Sequence, residues 1–322
     1  KGKTKVIHPR NPIEFSEGKQ YTLLNQDDWR NNPGNRFIIR GDNSLLKKLS
    51  ENSTELGEVC DVSQGIIVYK TREDSAKNLY ISDEAITGWV KLLDTRSKIE
   101  KYRIHWGGRF LNYGDWLWCQ RDEKYFTEPK ILFIRLRNKS LKRKLIGAFD
   151  NGVYYNRDNF NNIVSTSKEY PIKYVLSIFN SDIINYWYKS LFDNVNINPE
   201  QVRLIPLRHG STRLKSTVFK IVDYLTILSG EQYKINFDFF DLTLESLIYE
   251  LYFPEEIKTA GKEILKHLGD LKPITDEMSK EKKLAIIQIE FERLYDPNHP
   301  VRFAIETLDS VEEVRIIKEA LK

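Results

Sequence analysis

The run from Glu128 to Leu207 constrains this chain more than any other part of it. It opens EPKILFIRLRNKSLKRKLIGAFDNGVYYNRDNFNNIVST, continues YPIKYVLSIFNSDIINYWYKSLF and closes NINPEQVRLIPL. KILFIRL (130–136) is a short, nearly continuous apolar run, the pattern of a strand buried on both faces. A basic loop follows. Asp150-Asn151-Gly152, between LIGAF and VYY, predicts a tight hairpin, because Asn and Gly tolerate the positive φ of such turns. Pro171 suits the first turn of a helix, where its missing N–H has no partner to lose. Ile172, Val175, Leu176, Phe179, Ile183 and Trp187 then recur at helical spacing and predict one helix over 170–191. VRLIPL (202–207) reads as a closing strand, with Pro206 at an edge or terminus.

The flanks fit around this run. Residues 1–50 are polar and punctuated by Pro9, Pro12, Pro33 and Gly34, as in a connector, and end in a short helix that Asn43 starts before Leu45, Leu46 and Leu49. EVCDVSQGIIVYK (58–70) reads as strand on either side of Gly65, and 89–118 as turns and short strands around Gly107-Gly108. After Gly210 the period becomes helical over 213–229, 241–252, 254–268, 277–295 and 310–321, with a DPNHP turn at 296–300. The expected fold class is α+β. A mixed α/β domain over 51–210 follows the 1–50 connector and precedes an all-helical domain over 211–322. No internal repeat is visible.

With 322 residues the chain is long enough for two domains. No run reaches the ~18 apolar residues of a membrane span, and KGKTKVIHPR lacks the apolar core of a secretory signal. Cys60 and Cys119 lie far apart among apolar neighbours, as free thiols do, which points to the cytoplasm. The net charge of +4 hides an asymmetry. Residues 1–210 hold 34 Lys and Arg against 25 Asp and Glu, while 211–322 hold 16 against 21. Within 101–150 the balance is 12 against 5, a concentration that suits a phosphate-facing surface.

Catalytic patterns are missing. There is no Gly-rich turn for S-adenosylmethionine after a first strand, and no Asn/Asp/Ser-Pro-Pro-aromatic motif; DPNHP breaks that pattern at Asn298. The histidines His8, His105, His209, His267 and His299 are scattered, and no Walker motif is present. Asp122-Glu123-Lys124, or Asp115 with Glu128 and Lys130, fits a magnesium nuclease only as closely as chance allows in a chain that is 30% charged.

Several pieces, in order, resemble the target-recognition half of adenine-specific (N6) DNA methyltransferases, notably those in bacterial type IIG restriction–modification enzymes. NSLLKKLSENSTELGEVCDVSQGI (43–66) is similar to the opening of those recognition domains. WVKLLDTRSKIEKYRIHW and RFLNYG resemble the segment before the central strand, and EPKILFIRL the "PKI" strand itself. YVLSIFNSDIINYWY resembles the helix bearing an Asn-Ser pair, here Asn180-Ser181. ESLIYELYFPEEI (245–257) and DPNHPVRFAIETLDSVEEVRIIKEAL (296–321) are similar to the C-terminal helical region.

The resemblance spans roughly 43–322 and implies a division of labour. An upstream methyltransferase domain of the same polypeptide would bind S-adenosylmethionine and methylate an adenine flipped from double-stranded DNA. This chain would read the sequence and carry no cofactor of its own. The alternatives are a magnesium-dependent endonuclease domain, or a non-catalytic protein-interaction or specificity subunit.

The candidate DNA contacts are Arg135 and Arg137 at the end of KILFIRL, with Lys139, Lys142, Arg143 and Lys144 in the loop beyond. Arginine's planar fork matches guanine O6/N7, and lysines suit phosphates. A solvated loop remains the alternative for this cluster. Gln64, Lys70 and Arg72 flank the Gly65 bend, and Arg109 and Asn112 lie among the aromatics Trp106 and Tyr113, which read more readily as core. Asn194 and Asn196 precede VRLIPL; asparagine pairs bidentately with adenine, and turn chemistry explains these residues as well. Asn180-Ser181 reads as structural. Glu245, Glu250, Glu255 and Glu256 read as a solvated helix face.

Overall fold

The computed structural model describes residues 2–7, 21–26, 43–138, 140–192, 194–228 and 231–322. Strands β1 (Lys3–Ile7) and β2 (Tyr21–Asn25) pair antiparallel. Most of the expected connector, with Pro9, Pro12, Pro33 and Gly34, lies outside the described residues. Helix α1 (Asn43–Ser50) buries Leu45, Leu46 and Leu49, and is followed by β3 (Ser53–Glu55), α2 (Leu56–Val59) and β4 (Cys60–Gln64). A run of short elements comes next: α3 (Arg72–Ser75), β5 (Ile81–Ser82), β6 (Val90–Leu93), β7 (Lys98–Glu100), β8 (Arg103–His105), β9 (Arg109–Leu111) and α4 (Lys124–Thr127). Strands β10 (Pro129–Ile134), β11 (Gly147–Asn151), β12 (Tyr155–Asn156) and β13 (Phe160–Ser165) complete the two main sheets.

The central sheet has the order β11-β10-β13-β4 and is antiparallel throughout. β10 is covered on both faces, as its unbroken apolar run requires. Ile131 and Phe133 pack into the main core, with the Phe133 and Phe179 rings 5.1 Å apart. Leu132 points the other way, into a smaller cluster with Leu93, Ile99, Ala148 and Phe160. The second sheet, β12-β6-β9-β5, carries its own small core around Ile66, Leu92, Leu111 and Phe126.

The Asp150-Asn151-Gly152 turn forms, but it does not make a hairpin. Asp150 accepts the Val153 and Tyr154 N–H groups, and Gly152 has φ +72°. β11, before the turn, pairs with β10, while β12, after it, leaves to pair parallel with β6 in the other sheet. The turn is decided by the partners of Asp150. Its carboxylate lies directly across from Lys130, and both side chains are buried. Lys130 Nζ also donates to the Phe126 carbonyl at 2.6 Å.

The expected helix over 170–191 is two helices, α5 (Ile172–Phe179) and α6 (Asp182–Leu191). The break falls at Asn180-Ser181, where Ser181 Oγ caps α6 by accepting the Ile184 N–H. Likewise VRLIPL is mostly not a strand. α7 (Pro199–Arg203) takes its first half, and β14 (Pro206–Arg208) pairs with β3.

From Thr212 onward the chain is helical: α8 (Thr212–Ile227), α9 (Lys234–Tyr252), α10 (Pro254–Thr259), α11 (Lys280–Leu294), α12 (Pro300–Glu306) and α13 (Glu312–Ala320). The apolar pattern over 254–268 thus yields only the short α10. The fold is α+β with a helical C-terminal region. One apolar cluster contains Val62, Phe133 and Phe179 together with Leu247, Ile287 and Val314, so the central sheet and the C-terminal helices share a core. The acidic residues of this region are not one solvated face. Glu245 is buried, Glu250 accepts the Ile264 and Leu265 N–H groups, and Glu256 pairs with Lys48 of α1. Among the described residues no helix is long and apolar enough to cross a membrane.

Candidate nucleic-acid interface

Three strands of the central sheet finish or start at the same end, because antiparallel pairing places Ile134 opposite Phe160 and Asn161 opposite Gln64. The chain beyond β10 keeps extended pairing with a new partner, the 194–197 loop. Ile197 N–H donates to the Arg135 carbonyl at 2.8 Å, and Arg137 N–H donates to the Val195 carbonyl at 3.0 Å. A bridge joins Leu136 to Asn196 between them. Two loops separated by nearly sixty positions thereby form one short ribbon at the sheet's edge.

This ribbon gathers Arg135, Arg137, Asn194 and Asn196, with Lys142 in the loop that follows β10. Arg135 Nη1 donates to the Asp158 carbonyl at 3.1 Å and lies 3.5 Å from its carboxylate. Arg137 Nη2 donates to the Arg143 carbonyl at 3.1 Å, and burial draws its guanidinium below the ordinary value. The Nε of each arginine is buried without a hydrogen-bond partner among the described residues. A buried guanidinium N–H is costly to leave unpaired, and since both Nε atoms are shut off from solvent, the Nη groups are the donors left for an incoming acceptor. Lys142, Asn194 and Asn196 are exposed.

Two members of the basic loop serve the scaffold instead. Arg143 forks onto Asp182 at the start of α6, with contacts of 2.6 and 2.8 Å. Lys144 is 1% exposed and donates to the Asn194 carbonyl at 3.2 Å, so its amine ties the two loops together from beneath. Both were candidate DNA contacts; Lys144 is set apart by burial and Arg143, half-exposed, by its ion pair. Lys139 lies outside the described residues.

The Asn180 and Asn185 amides fix the return of the loop. Asn180 accepts the Gly147 N–H at 2.7 Å and donates to the Gly147 carbonyl at 3.0 Å. Asn185 does the same for Leu145, at 2.8 and 3.1 Å. Each side chain thus imitates a neighbouring strand at the open side of β11, the structural role expected of Asn180.

Gln64 stands at the same sheet end, where Arg121 Nη2 donates to its Oε1 at 3.3 Å and Arg121 Nε to the Gly65 carbonyl at 3.3 Å. The close approach at Gly65 is to the chain itself: a Cβ there would sit 2.2 Å from the Arg157 carbonyl oxygen. Lys70 and Arg72 are exposed further along. Arg109 is elsewhere, on β9, and contacts carboxylates on both sides: Asp94 at 3.0 Å, fully buried, and Asp83 at 3.1 Å. Asn112 accepts the Trp116 indole N–H on its carbonyl, and Trp106 belongs to the packing, its indole N–H donating to the Leu92 and Arg109 carbonyls. Arg109 and Asn112 are therefore not on the ribbon.

Sequence reading passed over Arg121 and Arg157. Arg157 begins the loop between β12 and β13, held by its N–H to the Leu93 carbonyl at 2.9 Å. The polar run Asn156–Asn159 between two strands was the available signal. Among the described residues, no group of three or more His, Cys, Asp or Glu is placed to hold a metal ion. Cys60 and Cys119 are free thiols, and burial pushes the Cys60 thiol up to about 12.

Residues 91–207, which run from within β6 to within β14 and carry the whole ribbon, match the TaqI-like C-terminal specificity domain, a domain of restriction–modification enzymes. The match points to a DNA-recognition role. It begins within β6 and ends at Leu207, before α8. No curated protein matches the chain.

Proposed function

We propose that this chain is a sequence-specific duplex DNA recognition module of a restriction–modification enzyme. In this reading it positions a target adenine for N6 methylation by an S-adenosylmethionine-dependent domain elsewhere in the same polypeptide. One observation carries the reading: the ribbon of 135–137 and 194–197, inside the segment that matches a specificity domain, presents arginine and asparagine groups at one sheet end, with exposed Lys142 in the loop beyond. Arg135 and Arg137 suit guanine edges, Asn194 and Asn196 suit adenine, and Lys142 suits a phosphate. The buttressing by Lys144, Asn180 and Asn185 suits a reader, because base-edge hydrogen bonds demand a rigid frame.

Selection of bound duplexes from a randomised pool tests it. The chain should enrich one motif, with affinity that falls steeply as salt rises. Asn196→Ala and Arg135→Ala should each relax the motif at particular positions, with a loss of about 1–3 kcal/mol for a bidentate contact. Recovery of no motif, or binding indifferent to salt, would overturn the proposal.

A further inference from the structure

Two exposed tryptophans lie outside the ribbon. Trp116 and Trp118 are 49% and 56% exposed, while Leu117 between them is buried. A turn places them so, with the Leu117 N–H donating to the Gly114 carbonyl at 3.2 Å. Neither ring is on a loose tether. The Trp116 indole N–H donates to the Asn112 carbonyl at 3.0 Å, and its ring lies so close over Gly114 that a Cβ there would meet it at 2.4 Å. Trp118 N–H donates to the Val68 carbonyl at 3.3 Å, and the Cys119 and Ile67 backbones exchange hydrogen bonds of 2.9 and 3.0 Å. Lys70 holds its ammonium 5.0 Å from the centre of the Trp118 ring.

Two indoles kept in water by defined backbone geometry are a prepared contact surface, since burying them against neighbours would be favourable. Their setting selects the partner. Arg121 joins this turn to the reading edge through Gly65 and Gln64. Among the described residues exposed Lys70 has no ion-pair partner, whereas exposed Asp115 directly precedes Trp116, so the cation open to an anion lies at the Trp118 ring. An apolar protein interface would be depleted of such charges at its centre.

We propose that Trp116, Trp118 and Lys70 form a sequence-independent clamp on the sugar–phosphate backbone of the duplex, beside the reading ribbon. The inference rests on the duplex-recognition reading above. Indole faces pack on deoxyribose, and the Lys70 ammonium, held over the ring, meets a phosphate.

Two duplexes of unrelated sequence, titrated at low salt with the whole chain and with Trp118→Ala, Trp118→Phe and Lys70→Ala, decide it. Trp118→Ala and Lys70→Ala should weaken both duplexes by the same factor, about fivefold or more. Trp118→Phe should keep most of the affinity, and Lys70→Ala should lower the salt slope by about one. Duplex should also shield the tryptophans of the unmodified chain from acrylamide quenching. Unchanged affinity in Trp118→Ala and Lys70→Ala, or a loss confined to one duplex, overturns the clamp and leaves the reading ribbon standing. Failure of the unmodified chain to bind either duplex removes both.

Discussion

Arg143 sets its guanidinium fork on the carboxylate of Asp182, Nε to Oδ1 at 2.6 Å and Nη2 to Oδ2 at 2.8 Å. Asp182 in turn donates its backbone N–H to Glu245 of α9 at 3.0 Å. A chain of polar contacts therefore runs from the C-terminal helices, through the start of α6, to the loop whose carbonyl at Arg143 holds Arg137.

This arrangement separates neighbours in the basic loop. Arg143→Ala is expected to cost about 1–2 kcal/mol of stability, the bidentate pair being strong but its arginine half-exposed. Lys142→Ala should leave stability within about 0.5 kcal/mol and weaken duplex binding across all sequences. Urea unfolding and binding titrations on the two variants check both halves.

Glu245 gives the protein a pH signature. Burial pushes its carboxyl up to about 7, and the Asp182 and Asp241 carboxylates add to the rise, against the opposing pull of Lys101. Arg143 and Tyr249 also belong to this cluster. The folded chain therefore binds a proton in the window from about 7 down to the ordinary 4.5, where the unfolded chain does not. The contribution of this group to stability rises as pH falls through that window. Urea midpoints at pH 6 and pH 8 should show it, and Glu245→Gln should flatten the difference; an unchanged slope in that variant counts against the assignment.

Gly65 has no room for a side chain. In Gly65→Ala the new Cβ would press on the Arg157 carbonyl, a backbone atom that moves only with its strand. A loss of about 1–3 kcal/mol is expected, with weaker duplex binding, because Gln64 and Arg121 move with the bend. Thermal unfolding and titration on the same sample test this.

The buried pair Lys130–Asp150 should show strong coupling. Asp150→Ala leaves an ammonium with 0% exposure facing a single carbonyl, and also frees two N–H groups of the turn. The expected cost is about 3–5 kcal/mol. Lys130→Met combined with Asp150→Leu should cost less than the sum of the single changes. Additive losses in a denaturation double-mutant cycle would contradict the pairing.

Local patterns in the chain revealed elements but not their partners. The KILFIRL strand, the aromatic helix face and the change to helices after Gly210 all depend on side-chain period, which is a property of neighbours in sequence. The Asp150-Asn151-Gly152 turn was legible for the same reason, yet the direction the chain takes after it was not. That choice depends on β6, some sixty residues earlier. Nor does helical spacing carry the break at Asn180-Ser181, since both halves continue the apolar pattern. The break exists because two asparagine amides have the edge strand at Leu145 and Gly147 to bond.

By itself the sequence determined an α+β chain with a basic, aromatic middle and a helical end, because composition, period and charge are written residue by residue. Tertiary structure alone decided where each cation sits and what holds it. Arg135, Arg137 and Lys142 reach the sheet edge, whereas Lys144 lies beneath it and Arg143 and Arg109 are held by carboxylates far off in the chain. It also brought the Asn194 loop beside Arg137. The physical reason is that burial and ion pairing are set by neighbours across the fold, and a lysine or arginine looks the same in sequence whether it meets water, a carbonyl or an aspartate.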